Sequence, residues 1–251
     1  MKIFSGQVIN PVPPPPQGAS WRARLLHAQQ AAEAGYLPAL EDIGRPLVIF
    51  LGGFLDASTL RLYNTVLEYK NGPWYADGST TPPPAFFSER PFPWDENAMR
   101  AMGEAQDIYY RAHDTRAHIQ LLMALYHAAG QRIALVGHSW GAASAYKAAA
   151  KSDAPVDLLI TLDPVSVFPL GERQRPVNVR RWVNVYLDFK RADLRDSSNL
   201  TAWIGRPWGA SAKADVSYDF MTDWPGTTPP GHAWCYEMFN FYARRELERL
   251  S

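Results

Sequence analysis

The chain has 251 residues, enough for one large α/β domain with a sizeable core. Lys+Arg and Asp+Glu each number 25, so the formal charge is zero, which argues against a nucleic-acid partner held by phosphate neutralisation. One cysteine, Cys235, excludes an internal disulfide. No apolar run reaches the length of a membrane span or builds the core of a signal peptide at the N-terminus. The expectation is therefore a chain made in the cytoplasm, with any export independent of a cleaved signal.

Taken in order, Asn10 to Gly18 is proline-rich and reads as an extended tether, which sets residues 1–19 apart from a domain over 20–251. Ser20 suits the N-cap of a helix to about Ala34, stopped by Gly35. Pro46 to Phe54 is a strand whose unbroken apolar run predicts burial on both faces, as in a parallel sheet. Residues 58–70 follow as a helix, with Leu60, Tyr63, Val66 and Leu67 on one face. Residues 71–97 are irregular, rich in proline and aromatics, with a short strand at 85–88, and suit a wall or lid.

Asp95 to Ala129 reads as one long helical region ended by Gly130. A strand from Ile133 and a helix to about Lys151 come next. Val156–Leu162 and Arg181–Leu187 are further buried strands, the second followed by a polar stretch from Asp188 to Asn199. A Gly- and Trp-rich loop region covers 203–231, and a final helix covers Ala233–Leu250. Strands alternating with helices predict a mostly parallel, doubly wound sheet flanked by helices.

The densest chemical signal is Gly137-His138-Ser139-Trp140-Gly141, between a strand and a helix. A serine at such a turn projects its hydroxyl above the sheet, and the flanking glycines leave room for close backbone. A serine nucleophile needs a base, and the base an orienting acid. His232 lies after Ser139 in a loop before the last helix, and His27, His113, His118, His127 and His138 all precede Ser139. His138, inside the turn, suits a packing or hydrogen-bonding role.

Two acids end strands on the same sheet edge: Asp163, in Leu162-Asp163-Pro164-Val165, is favoured, and Asp188 is the alternative. The Trp140 N–H at the helix start and the Phe54 N–H after Gly52-Gly53 are the expected oxyanion donors. No H-E-x-x-H or Cys/His cluster at zinc spacing occurs, so neither metal nor organic cofactor is expected.

On Leu51-Gly52-Gly53-Phe54, Gly137-His138-Ser139-Trp140-Gly141, Leu162-Asp163-Pro164-Val165 and His232, the chain resembles the α/β-hydrolase superfamily, in particular its serine lipases and esterases. The Leu-Asp-Pro after the nucleophile is similar to that of the pancreatic-type lipases, where the Asp is the triad acid. The resemblance implies an α/β-hydrolase fold. It also implies cleavage of carboxylic esters, of lipid or phospholipid type, and transient contact with a membrane surface. Gly52 stands where many lipases have His, and the two leading strands of the full fold lack clear counterparts, which implies a sheet reduced at its N-terminal edge.

Trp182-Val183-Asn184-Val185-Tyr186, Trp208-Gly209 and His232-Ala233 also look similar to small hydrolases found beside type VI secretion genes, some of them lipase effectors. That likeness implies a secretion-apparatus or immunity partner. Residues alone leave an amidase, thioesterase or peptidase on the same triad open, and also a catalytically silent binding protein.

Overall fold

Apolar runs too short for helices and buried on both faces build the centre of this protein. The computed structural model describes residues 40–53, 106–111, 116–166, 173–224 and 229–250, together with Ala23, Leu62 and Thr65. Among them, six strands form one sheet: β1 (Leu47–Leu51), β2 (Asp107–Arg111), β3 (Ile133–His138), β4 (Val156–Leu162), β5 (Val179–Tyr186) and β6 (Val216–Asp219). Their order is β2-β1-β3-β4-β5-β6, and every pairing is parallel.

Each central strand divides its apolar residues between two cores, which explains the unbroken runs. Leu47, Ile49 and Leu51 of β1 face helices α1 (Arg116–Ala128) and α2 (Trp140–Ala150), through Ile119, Leu122, Tyr126, Ala145 and Ala149. Val48 and Phe50 face the other way, toward Leu62 and the C-terminal segment, through Met238, Phe239 and Leu247. That segment is α5 (Cys235–Met238), a π-helical turn (Phe239–Ala243) and α6 (Arg244–Glu248). Helices thus cover both faces of a parallel sheet, a doubly wound α/β arrangement. The alanines of α2 (Ala142, Ala143, Ala145, Ala148 and Ala149) are buried, and their small side chains let the helix approach the strands closely.

A buried polar network stitches the later strands. The Trp182 indole donates to Thr161 Oγ1 at 3.0 Å, and Thr161 donates to Asn184 Oδ1 at 2.9 Å. The Asn184 amide then reaches Ser217 Oγ and the Gly209 carbonyl, each at 3.0 Å. Arg181 clamps Glu246 of α6 with two hydrogen bonds of 2.8 Å, fixing the last helix against β5.

Several expectations need correction. The long helix over 95–129 does not hold: β2 occupies 107–111, and the helix begins at Arg116. Asp107-Ile-Tyr-Tyr-Arg carries the β-formers Ile and Tyr in a strand whose polar ends blend into the helical spacing around it. Residues 203–231 are not all loop, because β6 and the short helix α4 (Phe220–Asp223) lie within them. A further helix, α3 (Ser197–Ile204), bridges the expected polar stretch and that region, capped by the Asp196 side chain on the Ser198 and Asn199 amides. The final helix is helical without a gap from Cys235 to Glu248 and carries a π turn at Phe239–Ala243.

Leu62 and Thr65 are helical and buried; the expected face of Leu60, Tyr63, Val66 and Leu67 lies outside the described residues, as do the segment 1–19, the region 71–97 and the place of any leading strands. Among the described residues no helix is long and apolar enough to cross a membrane.

Candidate active site

The sheet order creates a crevice. From β1 the chain passes outward to β2 and then returns across β1 to β3. The connection leaving β1 carries Leu62 in one core, and the one leaving β3 is α2, in the other. Backbone therefore diverges to opposite faces at the carboxyl ends of β1 and β3, the place where doubly wound sheets bind ligands. Gly52, Gly53 and Ser139 stand there.

Ser139 has φ 58° and ψ −125°, a conformation of positive φ that non-glycine residues rarely adopt. Such strain costs on the order of 1–3 kcal/mol and persists only where the surroundings enforce it. Those surroundings are crowded. A Cβ on Gly137 would lie 2.5 Å from Ala142 Cα, and one on Gly141 would collide with the Leu51 carbonyl oxygen. A Cβ on Gly53 would come within 2.7 Å of Ser139 Cβ. The glycines of the motif are thus required by close approach, of α2 to β3 and of both to the end of β1. The Ser139 N–H donates to the Leu162 carbonyl at 3.0 Å, and the Ser139 carbonyl accepts from Val165 N at 3.2 Å, which ties the turn to the one after β4.

That second turn carries Asp163, which is fully buried, with φ 38°. Its N–H donates to the Val185 carbonyl at 2.7 Å, and its Oδ1 accepts from Leu187 N at 3.1 Å. Oδ2 faces His232 Nδ1 at 2.6 Å. His232 Nε2 lies 2.9 Å from Ser139 Oγ. A carboxylate only accepts, so Nδ1 carries the proton, and the lone pair of Nε2 is left to accept from the serine hydroxyl. The chain Ser139–His232–Asp163 is continuous, and all three residues are buried.

His232 is also fixed by its backbone. Its N–H donates to Asn199 Oδ1 at 2.7 Å, while its carbonyl accepts from His138 Nε2 at 2.8 Å. The His138 and His232 rings stack with centroids 4.8 Å apart. Asn199, buried on α3, is turned toward His232 by its own amide, which donates to the Asp193 carbonyl at 3.0 Å. No local sequence signal marks Asn199, because its partner lies across the fold.

Of the other expected site residues, Trp140 stands beside Ser139 and Asp188 lies apart. Asp188, the alternative acid, accepts from Lys190 N and pairs with Arg191, so it shapes its own turn and is not in the chain to His232. Trp140 opens α2 directly after Ser139, at the positive end of the helix dipole. Phe54 lies outside the described residues. The described tryptophans of 203–224 take separate places. Trp208 packs with Tyr146 in one core, and Trp224 packs with Trp234 against the other. Trp203 is exposed.

Among the described residues no group of three His, Cys, Asp or Glu side chains is placed to hold a metal ion. The assembled groups can activate a hydroxyl, by passing its proton to an oriented imidazole. No protein-family model matches the chain, and no curated protein matches it either.

Proposed function

We propose that the protein is a serine hydrolase of the α/β-hydrolase type that cleaves carboxylic esters, lipid esters in particular. The observation that carries this reading is the unbroken chain from Ser139 Oγ to His232 to Asp163, at 2.9 and 2.6 Å. Its members follow three different strands in the order serine, acid, histidine, the order of that fold. The strained backbone of Ser139 and the switch-point location add support.

In this reading His232 takes the hydroxyl proton as Ser139 attacks the ester carbonyl. Asp163 holds the correct tautomer and stabilises the imidazolium. The amide of Trp140, at the start of α2, and that of Phe54 stabilise the oxyanion. His232 then protonates the departing alcohol, and water repeats the sequence on the acyl-enzyme. Resemblance in the motifs favours a lipid-like acyl group.

A fluorophosphonate probe tests the nucleophile. Wild type is expected to be labelled at Ser139 and Ser139→Ala to remain unlabelled; equal labelling of the two would sink the hydrolase reading. Aryl esters of graded chain length test the substrate class. Rising turnover with acyl length supports a lipid ester, whereas a preference for aryl amides would move the reading to an amidase.

A further inference from the structure

Helix α3 has two very different faces. Asn199 and Ala202 point inward, and Asn199 holds the backbone of His232. Next to this inward edge Leu200, Trp203 and Ile204, spaced i, i+3 and i+4 as one helical stripe, are 42%, 53% and 67% exposed. Large apolar residues gathered in one exposed patch mark an interaction surface, whereas single ones are ordinary. An open groove of about 660 Å³ adjoins the stripe and is lined by Trp203, Ile204, Pro207 and Phe189 among others.

The charges around this groove are unbalanced. Arg191 is neutralised by Asp188 and Asp219, and Arg195 by Asp193. Lys190 and Arg206, which line the groove and are exposed, have no ion-pair partner among the described residues. An apolar stripe containing Trp, rimmed by uncompensated cations, matches an interface with apolar depth and negative headgroups. Trp suits that boundary because its ring is apolar while its indole N–H can stay in the wet layer.

The patch also adjoins the reactive groups. Pro207 bridges Val165, the Arg206 carbonyl accepts from Ser166 N, and Val165 N donates to the Ser139 carbonyl.

We infer that the outer face of α3, with Lys190 and Arg206, docks the protein on an anionic phospholipid bilayer. The surface is built on α3 and its flanks, so it stands whether or not Ser139 is a nucleophile; only its use, bringing lipid esters to Ser139, rests on the hydrolase reading. Removing either cation should weaken attachment about fivefold, the increment of one basic side chain at a charged membrane. Raised salt should weaken it further, because such attraction decays over a Debye length of about 8 Å at physiological ionic strength.

Co-sedimentation of the full chain with vesicles tests this, using phosphatidylcholine alone and phosphatidylcholine mixed with phosphatidylglycerol. The expected result is binding to the anionic vesicles alone, reversed by salt. Trp203→Ser combined with Ile204→Ser should reduce it at least tenfold, and Lys190→Gln with Arg206→Gln should do so through charge alone. Thermal unfolding checks that both variants keep the fold.

Equal binding to both vesicle types, or binding unchanged in both variants, would overturn the inference. So would self-association of the free protein that the Trp203/Ile204 variant abolishes while vesicles go unbound; the face would then belong to a second copy. Salt-sensitive vesicle binding by a wild type that hydrolyses no ester and takes no fluorophosphonate would leave the docking surface standing and remove the hydrolase reading.

Discussion

Asn199 reaches the backbone of His232, not its ring, and this separates orientation from proton transfer. Asn199→Ala leaves the His232 N–H buried without its 2.7 Å partner, a loss of about 1–3 kcal/mol. The expected outcome is a fall in kcat of about tenfold or more with KM nearly unchanged, read by steady-state kinetics on a soluble aryl ester. Asp163 and Asp188 should separate sharply. Asp163→Asn removes the acceptor that fixes the imidazole tautomer, and kcat/KM should drop by about 10⁴-fold. Asp188→Asn disturbs only the turn at Lys190 and Arg191 and should stay close to wild type; the reverse pattern in the same assay would displace Asp163 from the mechanism. The grouping of Ser139, Asp163 and His232 was legible in the sequence because a tight turn, a strand end and a downstream loop each leave local marks. Asn199 was not, since it meets His232 across 33 residues of chain and looks like any polar helix residue.

Strand β2 and helix α1 are joined by a buried phenol. Tyr126 donates to Asp107 Oδ2 at 2.8 Å and meets the Tyr109 hydroxyl at 3.3 Å. Burial above all, then the neighbouring Tyr109 and Asp107, push the Tyr126 hydroxyl far above the ordinary tyrosine range. In the unfolded chain Tyr126 ionises near pH 10, whereas in the folded protein it keeps its proton. The unfolded state therefore binds fewer protons above that pH, and stability should fall as pH rises past about 10, by up to about 1.4 kcal/mol per unit. Tyr126→Phe should flatten that fall, measured by urea unfolding across the alkaline range; an unchanged slope would mean other tyrosines set it. This element pair also marks the limit of pattern reading. The central strands β1, β3 and β4 were readable because burial on both faces demands unbroken apolar runs. β2 and β6 are short and partly polar, so their periods merge with the helices and turns beside them.

The whole molecule depends on a chain end that does two jobs. Residues 229–250 bring His232 to the crevice and cover one face of the sheet with Met238, Phe239 and Leu247. Truncation after Asp223 should expose Val48, Phe50, Ile160 and Val183 and yield aggregated protein, seen in the void volume of a gel-filtration column; a soluble, monomeric product would contradict this layer's role. The doubly wound architecture was legible from strands alternating with helices, but the neighbour order was not, because periodicity records burial and says nothing about which strand pairs with which. That order has a consequence for synthesis. β1 pairs with β2 from Leu47↔Asp107 and with β3 from Leu47↔Ile133, so neither neighbour exists when β1 leaves the ribosome. One of the most apolar strands of the protein must wait, unpaired, while a long stretch of chain is translated, and its exposed hydrogen-bonding edges are then open to other nascent chains.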